Sequence, residues 1–202
     1  MSNEADRVID IYKRHAAHFD EVRVRSLFEK PWLDRFTALL PKGGKVLDLG
    51  CGMGEPIARY FIETGFEVTG VDSSPAMIER SMARFPNAVW HVADMRAFSS
   101  PQKFDGILGW DSYFFLRPDD QRKMFATFRK HAAPHAALMF NTGPRGGESI
   151  GEYQGEPLYH ASLEPDEYRA LLRDHGFEVV ANAFEDAEAG GRTVWLARKK
   201  NA

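Results

Sequence analysis

The stretch VLDLGCGMGEP, residues 46–56, places glycines at positions 50, 52 and 54 directly after an apolar run of strand character. A glycine-rich turn between a strand and a helix lets a ligand approach the main chain closely, and its amides at the helix start face the ligand. The same turn can also serve only to pack a helix on a sheet. The stretch therefore predicts a strand, a tight turn and a helix, with ligand binding and mere packing as its two interpretations.

Strand-like and helical segments alternate through the following hundred residues. Gly65 suits the C-cap of the first helix, and Ser73 or Ser74 suits the N-cap of a helix that starts at Pro75. This alternation is typical of an α/β fold in which helices cover both faces of a parallel sheet. The predicted strands are 45–49, 67–71, 88–92, 104–109 and 136–141, and the predicted helices are 55–64, 75–84 and 118–131.

The segment ahead of the first strand has helical character. Apolar residues recur at helical spacing from Val8 to Leu40, and Pro31 interrupts the pattern, which predicts two helices. We expect residues 1–42 to form a cap on a core of residues 43–142. A chain of 202 residues is expected to form one domain.

The segment after the last of these strands has a different composition. Residues 143–161 are rich in glycine, and so long a connection is usually functional or mobile, so we interpret it as a lid or acceptor loop. Residues 162–202 then predict a helix closed by Gly176 and two strands, FEVVANAF and RTVWLARK. A short turn between the two strands predicts a hairpin, so the last strand is expected to be antiparallel.

Composition excludes several classes of function. The net charge is −3, and the one dense basic cluster, Arg198 to Lys200, stands at the end of the chain, so no nucleic-acid partner is expected. One cysteine, Cys51, cannot build a disulfide framework or a zinc site. No signal sequence or long apolar run is visible, so we expect a cytoplasmic protein without a membrane partner. The sequence does not indicate an oligomeric state.

Polar and aromatic residues follow three of the predicted strands. Asp72 can accept hydrogen bonds from both hydroxyls of a ribose, or it can cap the next helix. Asp94 can accept from an exocyclic amine, and Met95 can pack on an aromatic ring. Trp110 and Asp111 follow the fourth strand. The carboxyl edge of the sheet, where ligands of open α/β sheets bind, is therefore the predicted site.

These motifs together resemble those of class I S-adenosylmethionine-dependent methyltransferases. VLDLGCGMGEP resembles the first motif of that family, VTGVDSSPAMIERSMARF its acidic second strand and helix, and HVADM its adenine-side turn. The resemblance spans residues 44–200. It implies a three-layer Rossmann-like sandwich with a seven-stranded, mostly parallel sheet whose last strand is antiparallel.

The resemblance also implies a donor site and a reaction. S-adenosylmethionine is the implied cofactor, S-adenosylhomocysteine its product, and a small molecule the acceptor of the methyl group. The backbone at 50–52 is implied to face the methionine part, and Trp110 and Asp111 to lie near the sulfonium. Tyr12 or Phe19 resembles a tyrosine that reaches the methionine carboxylate in relatives. The donor-site residues so assigned are Tyr12, Gly50, Cys51, Gly52, Asp72, Ser73, Asp94, Met95 and Trp110.

A base is needed if the acceptor carries a proton, and three residues are candidates. His160, Asp111 and Glu156 all lie near the predicted lid or the strand ends. His160 is our first choice, because a histidine titrates near neutral pH. The alternative is that His160 only anchors the lid. The histidines are scattered without acidic or cysteine neighbours, so no metal is expected.

Other functions stay open. A dehydrogenase with a dinucleotide cofactor is disfavoured, because Glu55 occupies the third glycine position of that motif and would face a pyrophosphate. A non-catalytic protein that binds S-adenosylmethionine or S-adenosylhomocysteine is the main alternative to the enzyme. Protein methylation is also open, whereas the residues after the fourth strand disfavour methylation of amide or base nitrogens.

Overall fold

The computed structural model describes residues 4–201, in which a mixed sheet lies between two layers of helices. A separate pair of strands, β6 and β7, follows β5. The strands are β1 Lys45–Leu49, β2 Glu67–Asp72, β3 Val89–Val92, β4 Phe104–Gly109, β5 Ala132–Thr142, β6 Gly147–Tyr153, β7 Glu156–Ser162, β8 Phe177–Asp186 and β9 Arg192–Lys199. The helices are α1 Glu4–Arg14, α2 Ala16–Val22, α3 Lys30–Thr37, α4 Ile57–Glu63, α5 Pro75–Arg84, α6 Pro118–His131 and α7 Pro165–Asp174.

The strand order of the main sheet is β3-β2-β1-β4-β5-β9-β8. β9 is antiparallel to both of its neighbours, and the other pairs are parallel. The predicted seven-stranded sheet with an antiparallel last strand is therefore confirmed. The chain winds outward from β1 to β3 and then returns to β4, so the order reverses between β1 and β4. This reversal opens a crevice at the carboxyl edge, where α/β sheets bind their ligands.

Alternating side chains along the strands build the layers on both faces. In β1, Val46 packs with α3 and α4, whereas Leu47 and Leu49 pack with α6 and α7. In β9, Trp195 lies on the α6 and α7 side and Leu196 on the other. Because both faces of the central strands are apolar, the sheet needs a cover on each face, which explains the three layers.

The N-terminal segment differs from its prediction. From residue 4 onward, three helices precede β1 rather than the predicted two, and the break lies at residues 23–29 rather than at Pro31. Pro31 stands in the first turn of α3, where a missing N–H costs no hydrogen bond within the helix. Leu27 in the break has a φ of 50°, a left-handed conformation that ends helical periodicity.

The predicted lid is an ordered hairpin rather than an irregular loop. β6 and β7 pair antiparallel through seven residues each, and the turn between them has φ of 54° at Gln154 and 76° at Gly155. Two consecutive positive φ values are typical of the tightest hairpin turns. Gly147 and Gly151 lie within β6, and glycine is depleted in strands, so composition concealed the strand.

Helix α1 lies against this hairpin. Val8 and Ile11 of α1 share a buried cluster with Leu158, Tyr159 and Ala161 of β7. At the hairpin tip the Tyr12 and Tyr153 rings stack with centroids 5.7 Å apart, and Glu156 accepts from Arg14 and His15. Helix and hairpin together form a roof above the carboxyl edge of the sheet. Between residues 4 and 201 no helix is long and apolar enough to cross a membrane.

Gly50 gives the first prediction, because the loop after β4 leaves no space for a side chain there. A Cβ at Gly50 would lie 2.2 Å from Ser112 Cβ, and φ is 80°. We expect Gly50→Ala to lower the unfolding free energy by about 3 kcal/mol or more in urea titration. Gly65→Ala is the matched control, since φ there is 90° with no atom within 4 Å, and about 1–2 kcal/mol is expected. Equal losses would contradict the packing explanation.

Candidate functional site

A cavity of about 1040 Å³ lies at the carboxyl edge of the sheet, between the ends of β1 and β4 and beneath the roof. The structure brings almost all predicted site residues to this cavity, and Glu156 is the exception. The predicted residues that line it are Tyr12, Gly50, Cys51, Gly52, Asp72, Ser73, Asp94, Met95, Trp110, Asp111 and His160.

The glycine-rich turn is held by hydrogen bonds from the neighbouring strand. Gly50 N and Cys51 N donate to Val71 O, at 2.7 and 3.1 Å. Asp72 accepts from Gly52 N at 3.0 Å through one oxygen and from Ser74 N at 2.8 Å through the other. Asp72 thus fixes both the turn and the start of α5, while the Ser74 side chain makes no capping bond. A carboxylate oxygen can accept a second hydrogen bond, so Asp72 can also bind a ligand.

Asp48 was missed by the sequence analysis. It is 3% exposed, lines the cavity beneath the turn, and its carboxyl has no hydrogen bond or ion pair within residues 4–201. Burial and then the nearby charge of Asp72 raise the pKa of Asp48 to about 7. In the sequence, Asp48 stands between two leucines of a buried strand. An unpaired carboxyl lowers stability at such a position, and this was the signal that the sequence offered.

Glu55, the residue used to argue against a dinucleotide, is neutralised by arginines. Its buried carboxylate accepts from Arg25 at 2.8 Å and from Arg59 at 2.5 Å, and Arg84 lies 3.8 Å away. Asp48 and Asp72, in contrast, have no cationic partner among the described residues. The negative charge that a ligand meets at this end of the cavity therefore comes from Asp48 and Asp72.

At the β3 end of the cavity Asp94 is bound by Arg96. The Arg96 side chain donates to both carboxylate oxygens, and its main-chain N–H donates to Asp94 Oδ1 at 2.9 Å. Burial alone would raise the pKa of Asp94, but these hydrogen bonds outweigh it and hold the pKa below its usual value. Met95 packs beside the turn, with its methyl group 3.3 Å from where a Cβ at Gly50 would lie.

Asp111 is held rigidly at the end of β4. It has a φ of 49°, accepts from both Arg192 Nε and Nη2 at 2.6 and 2.8 Å, and exchanges two hydrogen bonds with Asn141. Both oxygens of the Asp111 carboxylate are thus engaged by the arginine. The neighbouring Trp110 is buried, and its indole N–H has no acceptor in the part of the chain that the structure describes.

His160 lies on β7 at the other side of the cavity. Its Nδ1 is 3.1 Å from Leu158 O, so Nδ1 carries a proton and the neutral ring keeps a lone pair on Nε2. Rings of Phe114 and Phe115 contact the imidazole with centroids 5.5 and 5.1 Å away. Burial lowers the pKa of His160 below its usual value, against the opposing effect of the Leu158 bond. His160 is therefore neutral at pH 7.

Glu156 lies outside the cavity. Arg14 and His15 bind its carboxylate, and Arg7 stands 3.7 Å away. The hydrogen bonds from Arg14 and His15 lower the pKa of Glu156. Its observed contacts join α1 to the hairpin.

Arg23 was also missed. It follows α2, lines the cavity and donates to Glu29 at 3.2 Å. Tyr12 lines the cavity as well, and burial, together with the charges of Asp111 and Asp72, raises the pKa of its hydroxyl. A cation and a neutral phenol therefore stand on the N-terminal side of the cavity. Nothing in the spacing of the sequence distinguished Arg23 from the other arginines of this segment.

The site can thus offer main-chain contact at a glycine turn, two uncompensated carboxyls and a neutral imidazole. This combination suits a ligand with a cationic centre and an acceptor that carries a proton. Within residues 4–201 no group of three metal-binding side chains converges.

Comparison with known proteins finds similarity to methyltransferases. A family model described as a methyltransferase domain matches residues 46–135, which run from β1 into β5 and include the glycine turn, Asp72, Asp94 and Asp111. Over these residues the chain is similar to this methyltransferase-domain family. The resemblance to class I methyltransferases is therefore confirmed.

Two curated relatives and one solved structure show similarity to this chain in sequence or in fold. The putative methyltransferase YqeM of Bacillus subtilis strain 168 is 30% identical over 140 residues, 65% of this chain and 55% of the relative. The 27-O-demethylrifamycin SV methyltransferase of Amycolatopsis mediterranei strain S699 is 29% identical over 80% of this chain and 64% of the relative. The chain described here thus spans roughly three fifths of these relatives' length.

The solved structure is the 1,6-didemethyltoxoflavin-N1-methyltransferase of Burkholderia thailandensis, with 1,6-didemethyltoxoflavin and S-adenosylhomocysteine bound. The two folds agree with a TM-score of 0.78 over 100% of this chain and 92% of that one. The sequences are 20% identical, so the similarity concerns the fold.

Asp48 predicts a pH dependence of stability. Its pKa is raised from 3.8 to about 7, so in that interval the unfolded chain has lost a proton that the folded protein keeps. The unfolding free energy therefore falls as pH rises, by up to about 1.4 kcal/mol per pH unit from this group. In urea titrations at pH 5 and pH 7 we expect Asp48→Asn to gain stability relative to the original chain at the higher pH. A difference that does not change with pH would contradict the assignment.

Proposed function

We propose that this chain transfers a methyl group from S-adenosylmethionine to a small-molecule acceptor by in-line displacement. The observation that carries the proposal is the pair Asp48 and Asp72, two carboxyls without cationic partners beside a turn of exposed main chain. S-adenosylmethionine carries a sulfonium and an ammonium group and no phosphate. Its charge therefore complements this end of the cavity, whereas the pyrophosphate of a dinucleotide would be repelled.

The residues divide among the parts of the donor. Asp48 and the main chain of Gly50, Cys51 and Gly52 would hold the methionine part, and Tyr12 and Arg23 would bind its carboxylate. Asp72 and Ser73 would bind the ribose hydroxyls, and Asp94 with Met95 the adenine. Because Asp72 already fixes the turn and α5, the ribose site is preorganised, and binding needs little rearrangement there.

The bound donor supplies an already activated methyl group on a sulfonium. The chain would contribute alignment and the exclusion of water, which alone give large rate enhancements for transfer between held reactants. Trp110 and the rigid main chain at Asp111 would border the methyl group. The sulfonium charge disappears during transfer, so weak contacts there serve the rate better than strong ones. The hairpin and α1 would keep water out from above.

His160 is the proposed base for an acceptor with an O–H group. It lines the cavity, stays neutral and has Nε2 free of partners among the described residues. Asp111 is bound by Arg192, and Glu156 lies outside the cavity, so both are weaker candidates. The name of the rifamycin relative, an O-methyltransferase by its substrate, is consistent with such an acceptor.

Calorimetric titration of the purified chain with S-adenosylmethionine, S-adenosylhomocysteine and NAD tests the donor site. We expect saturable binding of the first two and none of NAD. Because a cationic ligand favours ionised Asp48, affinity for S-adenosylmethionine should fall below pH 7, approaching tenfold per pH unit. Asp48→Asn should bind more weakly and lose this pH dependence, and Asp174→Asn on the surface is the control. Binding of NAD, or of neither adenosyl ligand, would overturn the proposal.

His160→Ala tests the base once a labelled-methyl screen has identified an acceptor. We expect kcat to fall about 10²- to 10⁴-fold, with unchanged affinity for S-adenosylhomocysteine. In the original chain kcat/KM should lose activity on the acid side with a midpoint below pH 6.5, because protonated imidazole is no base. His175→Ala, at the distant end of α7, should leave both quantities unchanged. Full activity of His160→Ala would assign His160 to anchoring the hairpin, and a screen that finds no acceptor despite donor binding would favour the non-catalytic binder.

A further inference from the structure

Five arginines line the cavity, and four of them are paired with carboxylates. Arg23 pairs with Glu29, Arg96 with Asp94, Arg117 with Asp6 and Arg192 with Asp111. Arg145 is the fifth, and its guanidinium has no hydrogen bond or ion pair within residues 4–201. A guanidinium at a cavity with no partner of its own has five N–H donors available to a ligand.

Arg145 belongs to the loop between β5 and β6, and this loop is anchored. Gly143 N donates to Ser162 Oγ at 2.8 Å, and a Cβ at Gly146 would meet the Glu164 carboxylate at 2.7 Å. A Cβ at Gly147 would meet no atom within 4 Å, so open space lies beside the loop. The guanidinium is therefore carried by a fixed main chain next to open space. Glu148 and Glu164 are the neighbouring carboxylates, and neither forms an ion pair with it.

The position of Arg145 separates it from the donor site. The residues assigned to the ribose, the adenine and the glycine turn stand at the ends of β1, β2 and β3, whereas Arg145 follows β5, two strands beyond β1 in the order of the sheet. With strands about 4.8 Å apart, this places the loop about 10 Å from the end of β1. The donor carboxylate has Arg23 and Tyr12 on its own side. Arg145 therefore lies where an acceptor would bind.

Arg145 precedes the strand pair that carries the proposed base. Ser149 is opposite His160, and Gly147 is opposite Ser162, whose hydroxyl anchors the Arg145 loop. Two residues of strand separate these levels, about 7 Å. The loop that carries Arg145 therefore lies near enough to His160 for one small acceptor to reach both.

We infer that the acceptor carries an anionic group, a carboxylate or a phosphate, and that Arg145 binds it. The inference rests on the proposed function, because it concerns the second substrate of the same cavity. The fork of an arginine can bind two oxygens of a carboxylate or of a phosphate at once, which the point charge of a lysine does not. Arg145 would thus select the acceptor and orient its O–H group toward His160, while Asp48 and Asp72 keep anions away from the donor end.

The test measures binding of three matched probes to the full chain saturated with S-adenosylhomocysteine. The probes are 4-hydroxybenzoate, 4-hydroxyphenyl phosphate and the neutral 4-hydroxybenzamide, followed by changes in amide NMR signals. We expect saturable binding of at least one anionic probe, with shifts at Gly143, Gly146 and Gly147, and at least tenfold weaker binding of the amide. The two anionic probes distinguish a carboxylate from a phosphate acceptor.

Variants of Arg145 complete the test. Arg145→Gln should weaken the anionic probe about tenfold or more, Arg145→Lys should restore part of the affinity, and Arg173→Gln, on the exposed face of α7, should change nothing. Equal probe affinity in Arg145→Gln, or no anion binding in the original chain, would overturn the inference. A loss of S-adenosylhomocysteine affinity in Arg145→Gln would also overturn it and assign Arg145 to the donor carboxylate. If no sample binds S-adenosylhomocysteine, the proposed function itself fails.

Discussion

The carboxylate of Asp72 is the constraint on which the site depends. It accepts from Gly52 in the turn after β1 and from Ser74 at the start of α5, and Val71 O accepts from two further amides of the turn. Ser112 Oγ adds a bond to Leu49 O, so the loop after β4 is tied to β1 as well. The ends of three strands are thereby fixed to one another. These hydrogen bonds hold the backbone around the crevice in place and so give the site a defined shape.

Local patterns explain why most of the fold could be predicted from the sequence. The signals that predicted the fold extend over only a few residues each, and the structure agrees with them. They are the strand and helix periodicities, the glycine turn and the proline at the start of α5. The hairpin of β6 and β7 could not be predicted, because Gly147 and Gly151 are poor strand residues and only pairing between the strands stabilises them. The break before α3 was expected at Pro31, but a proline fits the first turn of a helix, and the left-handed Leu27 leaves no signal in the spacing of apolar residues.

The site was harder to predict than the fold, because its ion pairs and hydrogen bonds join residues that are far apart in the chain. Strand ends indicated Asp72, Asp94 and Asp111, because carboxyl ends of parallel strands meet at one edge. Spacing could not show that Arg192, 81 residues away, binds Asp111. Nor could it show that Asp48 is left unpaired while Glu55, seven positions later, is met by arginines. Which carboxyls stay available to a ligand is decided by partners that only the folded chain brings together.

The roof joins α1 to a hairpin that lies far along the chain, and this separation affects the order of folding. His15 and Glu156, which join α1 to the hairpin, are 141 positions apart, whereas the sheet pairs of β1 and β2 are about 22 apart. Contacts between distant parts of a chain form late, since closing long loops costs more entropy. During synthesis α1 leaves the ribosome before its partner strand β7, and β7 arrives only after five strands of the main sheet. Helix α1 can therefore complete its packing only after β7 has been made.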